Sequence, residues 1–280
     1  MIFVLLLLLC SSMSLCMDNG IKKYGVAEMQ GHRLHMEDAH RIELTENYKF
    51  FGLYDGHGGR EVADFAAQNL HVKCDFAKGK TDADITKALK KGFLQTHKDL
   101  DDAPINARLQ GCTALVALIR KSQLFVANAG DSRAVLCSAG KAIPLSQDHK
   151  PDRSDEKKRI EDLGGWIEYN HRMRGYYVQS MLAVSRALGD KYLHPYVIPT
   201  PEIQHKTLES DDEFLILGCD GVWDVLSNQQ AVDFVRAELE KDPNNFEKAA
   251  QALRDQAYSA QSMDNISVIV VDLKGLHQQQ

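Results

Sequence analysis

Phe50-Phe51-Gly52-Leu53-Tyr54 runs without a break into Asp55-Gly56-His57-Gly58-Gly59, and this junction governs the reading of the chain. The apolar, aromatic-rich run predicts a buried strand over Lys49–Tyr54, closed by a glycine-rich turn. An aspartate that ends such a strand is held on a rigid element with its oxygens at the rim of the core. The glycine beside it lets the backbone turn sharply or approach a ligand closely. One Asp-Gly is ordinary turn chemistry. Here the pattern recurs. Phe214–Cys219 leads into Asp220-Gly221-Val222-Trp223-Asp224, Leu124–Gly130 ends in Asp131, and Asp264-Asn265 directly precedes Ile266–Val271. Glu37-Asp38 adds two adjacent carboxylates far upstream.

Four strand-end aspartates that converge must have their repulsion neutralised, and a bound divalent cation is the usual means. An oxygen-only ligand set, without clustered Cys or His, suits Mg²⁺ or Mn²⁺ rather than Zn²⁺ or Cu²⁺. Two such ions roughly 3.5–4 Å apart form the arrangement that activates water against a phosphoester. Competing motifs fail. No twelve-residue EF-hand loop occurs. Cys74 stands where a P-loop ending in Gly79-Lys80-Thr81 needs its first glycine, and Glu61 takes the third glycine position of a dinucleotide fingerprint starting at Gly56.

The whole sequence sets the bounds on these readings. Its 280 residues, 44% hydrophobic and 26% charged, have the balance of a soluble globular protein. That excludes a disordered chain, a collagen-like fibre and a polytopic membrane protein. A net charge of −6 without a strongly basic domain argues against nucleic acid as a partner. Six cysteines with no CxxC pair form neither a disulfide scaffold nor a zinc site, so Cys112, Cys137 and Cys219 read as small buried hydrophobes. Ile2–Cys10 is unbroken apolar sequence and no charge precedes Asp18, yet such a run is too short for a bilayer span of roughly 20 residues. Residues 1–16 are expected to be a signal peptide or hydrophobic leader, with Ser14 and Cys16 as the small residues before a cut near Cys16. Translation from Met17 is the competing reading. The first routes the chain to the secretory pathway, the second to cytoplasm or nucleus.

Further strands are expected at Thr113–Ile119, Leu124–Ala127, Ala134–Cys137, Phe214–Gly218 and Ile266–Val271. Helical spacing links Val62, Phe65, Ala66 and Leu70, then Ile85, Leu89 and Phe93, and recurs over Ala231–Leu239 and Phe246–Tyr258. Ser154 reads as the N-cap of a charged helix that stops at Gly164-Gly165. Trp166 and Trp223 read as core. Strands come in clusters and helices in pairs, without strict βαβ alternation. The fold class is therefore α+β, with antiparallel sheets covered by helix pairs.

Seven stretches in order resemble the metal-dependent Ser/Thr protein phosphatases of the protein phosphatase 2C-like (PPM) family. They are Arg33–His40, Asp55–Gly59, Gly130–Arg133, Gln147–Pro151, Leu182–Asp190, Asp220–Asp224 and Asp264-Asn265, and they cover one domain, residues 24–273, before a polar tail at 274–280. The resemblance implies a central sandwich of two antiparallel β-sheets flanked by pairs of α-helices. It also implies two Mn²⁺ or Mg²⁺ ions per subunit and direct attack of a water, activated by the metal centre, on phosphoserine or phosphothreonine. Asp55 would bridge the ions, Gly56 would lend its carbonyl oxygen, and Asp220, Asp264 and Glu37 would complete the set. Asp131 and Asp224 match the pair that joins Asp220 in a weaker third site. Asp38 would support its neighbours.

Two further residues have chemical reasons. Arg33 suits bidentate binding of phosphate oxygens, against a plain surface salt bridge. His57 suits protonation of the leaving alkoxide, against merely orienting a metal ligand. Arg172–Met181 is longer than the family's usual lead-in to Leu182–Arg186; the resemblance places it beside the active site, as a shaper of substrate choice or a solvated loop. Phosphoprotein substrates and a monomer are expected, without a stable membrane span. A catalytically inactive binding module is the alternative, but it would be marked by loss of Asp55, Asp220 or Asp264, and all three are present.

Overall fold

The computed structural model describes residues 24–76 and 81–278. The leader expected at residues 1–16 and the alternative start at Met17 lie outside them.

In chain order the first strands are β1 (Tyr24–Met29), β2 (Ala39–Leu44), β3 (Lys49–Tyr54) and β4 (Gly56–His57), followed by helices α1 (Glu61–Lys73) and α2 (Asp82–Asp99). Then come β5 (Gly111–Cys112), β6 (Ala114–Arg120), β7 (Gln123–Ala129), β8 (Arg133–Ser138) and β9 (Lys141–Pro144). Next are α3 (Ser154–Asp162), β10 (Ile167–Asn170), β11 (Gly175–Val178), β12 (Leu188–Gly189), β13 (Glu202–Thr207) and β14 (Asp212–Gly218). The chain closes with α4 (Asp220–Trp223), α5 (Asn228–Lys241), α6 (Phe246–Ser259) and β15 (Ile266–Asp272).

All six residues of β3 are buried because both faces of the strand are covered. Phe50 and Tyr54 join Val62, Leu70, Leu89 and Phe93 in the core beneath α1 and α2. Phe51 and Leu53 turn the other way, against Leu115, Leu136, Leu215 and Ile269. The two-residue period of the strand thus feeds two cores at once. Each such side chain contributes roughly 1.5–3 kcal/mol relative to exposure. One five-stranded sheet has the order β13-β7-β6-β3-β2 and the other β1-β15-β14-β8-β9, with every pairing antiparallel. A third core, with Ile216, Val268, Val232 and Leu253, seats α5 and α6 on the second sheet. The architecture is the expected α+β sandwich flanked by helix pairs. Among the described residues no helix is long and apolar enough to cross a membrane.

Among the strands the sequence pattern does not reveal, β1, β2, β9 and β13 are the outer strands of the two five-stranded sheets. Their exposed positions interrupt the apolar pattern. The strand expected at Thr113–Ile119 is β6, and just before Thr113 the chain forms β5 in a small sheet of order β12-β5-β4. Two expectations need correction. Ser154 is the first residue of α3, not its N-cap; Arg153 takes that position without a side-chain capping bond, its guanidinium being committed to Asp155 and Glu202. Trp166 is 54% exposed while Trp223 is 7% exposed. The β10–β11 ribbon is a separate two-stranded sheet, so Trp166 lacks the second layer that buries Trp223.

Candidate active site

A cleft of about 150 Å³ opens where the ends of the central strands meet. Asp55 reaches it from the end of β3, Asp131 from the turn after β7, Asp220 from the first turn of α4, and Asp264 from the residue pair before β15. Carboxylate oxygens of Asp55, Asp131 and Asp220 all lie within 4.8 Å of one another. Arg33, Gly56, His57 and Thr113 complete the polar lining, and Leu182, Ala183 and Val184 form an apolar wall.

Backbone contacts hold this arrangement in place. Thr113 donates its N–H to the Asp55 carbonyl at 2.8 Å, and its Oγ1 accepts from the Asp55 N–H at 3.2 Å. Asn265 clamps the loop that carries Arg33 and Glu37: its Oδ1 accepts from Glu37 N–H at 2.8 Å, and its Nδ2 donates to the carbonyls of Gln30 and His35. Gly56 packs so tightly that a Cβ there would fall 2.4 Å from the Glu37 carbonyl oxygen. Close approach, rather than turn geometry, demands glycine at this point.

The electrostatics are those of a site short of positive charge. Burial, then the fields of Asp220, Asp38, Asp131 and Asp264, hold the Asp55 carboxyl well above the usual range. Asp220 is likewise raised by burial and by Asp131, Asp264 and Asp224, with Lys150 partly opposing. Burial also raises Asp38 to about 6, although Ser267 Oγ donates to it at 2.6 Å; its Oδ1 is buried without a hydrogen-bond partner. Two cations answer these charges, Lys150 on Asp131 and Arg33 on Asp264. An oxygen-only cluster with unrelieved repulsion fits hard divalent cations.

Not every predicted site residue lines the cleft. Glu37 stands behind Gly56, close enough for its charge to reach His57. Asp224 lies one turn beyond Asp220, donating its N–H to the Asp220 carbonyl at 2.8 Å. Lys150 escapes the sequence reading although it lies within a quoted motif, because its partner Asp131 comes from another element. A larger groove of about 600 Å³ lies on the other side of Lys150. The cations lining it, Arg133, Lys150 and Arg153, are each paired with a carboxylate, so none of the three is a free cation.

A two-sheet sandwich with an acidic, oxygen-lined cleft and a guanidinium and imidazole at its rim defines an enzyme that handles an anion beside divalent cations. The profile of the family described as Protein phosphatase 2C matches residues 22–266. The chain belongs to that family, and it is a protein Ser/Thr phosphatase of the metal-dependent kind. A rice (Oryza sativa subsp. japonica) relative described as probable protein phosphatase 2C 45 is 41% identical, over 91% of this chain and 88% of the relative. Probable protein phosphatase 2C 59 of Arabidopsis thaliana is 42% identical, over 91% and 80%. The solved serine-threonine phosphatase 2C of Toxoplasma gondii shares the fold with a TM-score of 0.77 at 24% identity, over 89% of this chain and 94% of that one.

Proposed function

We propose that this phosphatase hydrolyses phosphoserine and phosphothreonine at a binuclear centre. Asp55, the Gly56 carbonyl, Asp220, Asp264 and Glu37 would hold two Mn²⁺ or Mg²⁺ ions, and Asp131 and Asp224 would add to Asp220 a weaker third position. The observation that carries this reading is the packing of three carboxylates within 4.8 Å in a cleft rimmed by Arg33 and His57. When bound, the cations acidify and orient the attacking water and offset the charge of the phosphate.

The chain's own groups supply the rest. Arg33, 55% exposed, meets Asp264 through Nη2 and would turn its fork to two phosphate oxygens where Asp264 is given over to a cation. The oxygen of the attacking water bonds to phosphorus as the bond to the Ser or Thr oxygen breaks. That oxygen keeps the electron pair and receives a proton from His57, while the proton lost by the water passes to solvent. Burial opposes a charged His57, but the Asp190 carboxylate, with Asp131 and Glu37, outweighs it and raises the imidazole above its ordinary pKa. The Asp190 contact thus favours the charged ring, the form that can donate. Leu182–Val184 exclude bulk water from one side. The ribbon β10–β11 leads into that wall, and its exposed Tyr169, Met173 and Tyr176 would bias substrate choice. One chain carries every group named, so a monomer would suffice for the activity.

Turnover of a phosphothreonine peptide and of p-nitrophenyl phosphate with Mn²⁺, Mg²⁺ or chelator tests the reading. Both substrates should be hydrolysed with metal and neither with chelator. Absence of turnover with either ion would sink it.

A further inference from the structure

Gly189-Asp190 repeats the strand-end signature of the metal-site aspartates, yet Asp190 does not line the cleft. It sits behind His57. Asp190 Oδ2 lies 2.8 Å from His57 Nε2, and the aspartate is only 5% exposed. The small sheet explains how they meet: β4, carrying His57, and β12, leading to Asp190, pair with opposite edges of β5. The two side chains therefore close on each other across Gly111. A Cβ on Gly111 would fall 1.9 Å from Asp190 Oδ2 and 2.6 Å from His57 Nε2. No side chain of any kind fits at that point. Asp190 also holds a left-handed backbone, φ 48°, and its N–H donates to the Gln110 carbonyl at 2.9 Å. A non-glycine residue in this region costs on the order of 1 kcal/mol. A local strain, a glycine required by contact and a buried carboxylate all converge on one imidazole nitrogen.

We propose that Asp190 is the positioning residue for His57: it accepts the Nε2 proton, fixes the ring, and leaves Nδ1 as the nitrogen that serves the leaving oxygen. With Nε2 committed, the imidazole has one other nitrogen to offer. The inference rests on the general-acid reading of His57. A merely structural pair would behave differently, because its loss would slow every substrate alike.

Asp190→Asn keeps the shape and suits the left-handed backbone, but removes the charge and lets either amide atom face Nε2. With saturating Mn²⁺, kcat on a phosphothreonine peptide should fall roughly 10–100-fold, as for other outer partners of catalytic groups. KM should change by less than ~2-fold and p-nitrophenyl phosphate turnover by less than ~3-fold, since its leaving oxygen needs little protonation. Asp190→Gly, also at ease at this φ, should show the same split. Adding Asp190→Asn to His57→Ala should cost nothing more on the peptide. Histidine ¹⁵N NMR of the unaltered protein gives a readout without any variant: neutral His57 should carry its proton on Nε2.

Neutral His57 with its proton on Nδ1 instead of Nε2, equal losses on both substrates, or additive losses in the double variant would each overturn the proposal. Equal losses on both substrates by His57→Ala would remove the general-acid reading itself, and the Asp190 inference with it. If His57→Ala shows the split and the Asp190 variants do not, the Asp190 inference alone fails.

Discussion

Glu156 on α3 is the anchor of the segment that walls the cleft, and its removal has a magnitude that can be worked out. Its carboxylate is buried, accepting from Arg186 Nε at 3.1 Å and Arg186 Nη2 at 2.6 Å, from Arg159 Nη2 at 2.8 Å, and from Ser185 Oγ at 2.7 Å. Ser185 and Arg186 directly follow the wall residues Leu182–Val184. Burial pushes this carboxyl up, but the hydrogen bonds from Arg186, Arg159 and Ser185 win and hold it at about 2. The fall from 4.5 to about 2 is worth roughly 3 kcal/mol. Breaking a buried pair costs about 3–5 kcal/mol by mutation, which agrees.

Glu156→Ala should therefore lower Tm at pH 7 by roughly 6–12 °C for a domain of this size. The folded pKa lies below the unfolded one, so the stabilisation is complete above 4.5 and disappears as pH falls through about 2. More than half of it is gone by about pH 3. Melting curves of both proteins between about pH 7 and pH 3 should converge towards the acid end. A gap under ~2 °C at pH 7, well below the expected range, or one that does not narrow on acidification, would refute the reasoning. Peptide kcat/KM should fall as well, because the wall loses its mooring.

Other consequences are as direct. Asp220→Asn should cut turnover by more than the roughly 10–100-fold typical of outer partners, and it should melt no lower than the unaltered chain without metal, since it relieves repulsion at Asp220. Retention of most activity at saturating Mn²⁺ would remove Asp220 from the ligand set. Mn²⁺ at about 100 times its Kd should stabilise the protein by about 2.7 kcal/mol, reversibly by chelator; a Tm that neither Mn²⁺ nor Mg²⁺ moves would contradict the metal site. Asn265-Ile266-Ser267 is a glycosylation sequon, but Asn265 is 4% exposed and its Nδ2 donates twice. Intact mass of the native protein should show Asn265 unmodified and residues 1–16 removed if the leader is used, and either a glycan on active enzyme or a retained leader would refute this.

Central strands such as β3, β6 and β14 are legible in the sequence because burial on both faces writes a continuous apolar run. The paired helices are legible because one face of each must be apolar at the helical period. Edge strands are not, since a strand with one neighbour tolerates polar residues at half its positions. Asp55, Asp131, Asp220 and Asp264 are legible for a local reason too, as each follows or precedes an apolar run and a strand end is a feature of a few consecutive residues. What the sequence by itself determined was thus the identity of the candidate ligands and the layers that carry them. Only the tertiary structure decided which side chains meet: Asp190 behind His57 across Gly111, Lys150 on Asp131, Asn265 clamping the Arg33 loop, and Glu156 beneath Arg186. Each of these pairs joins residues distant in the chain. The force that makes them is charge or a hydrogen bond brought within reach by packing, and no periodicity records it.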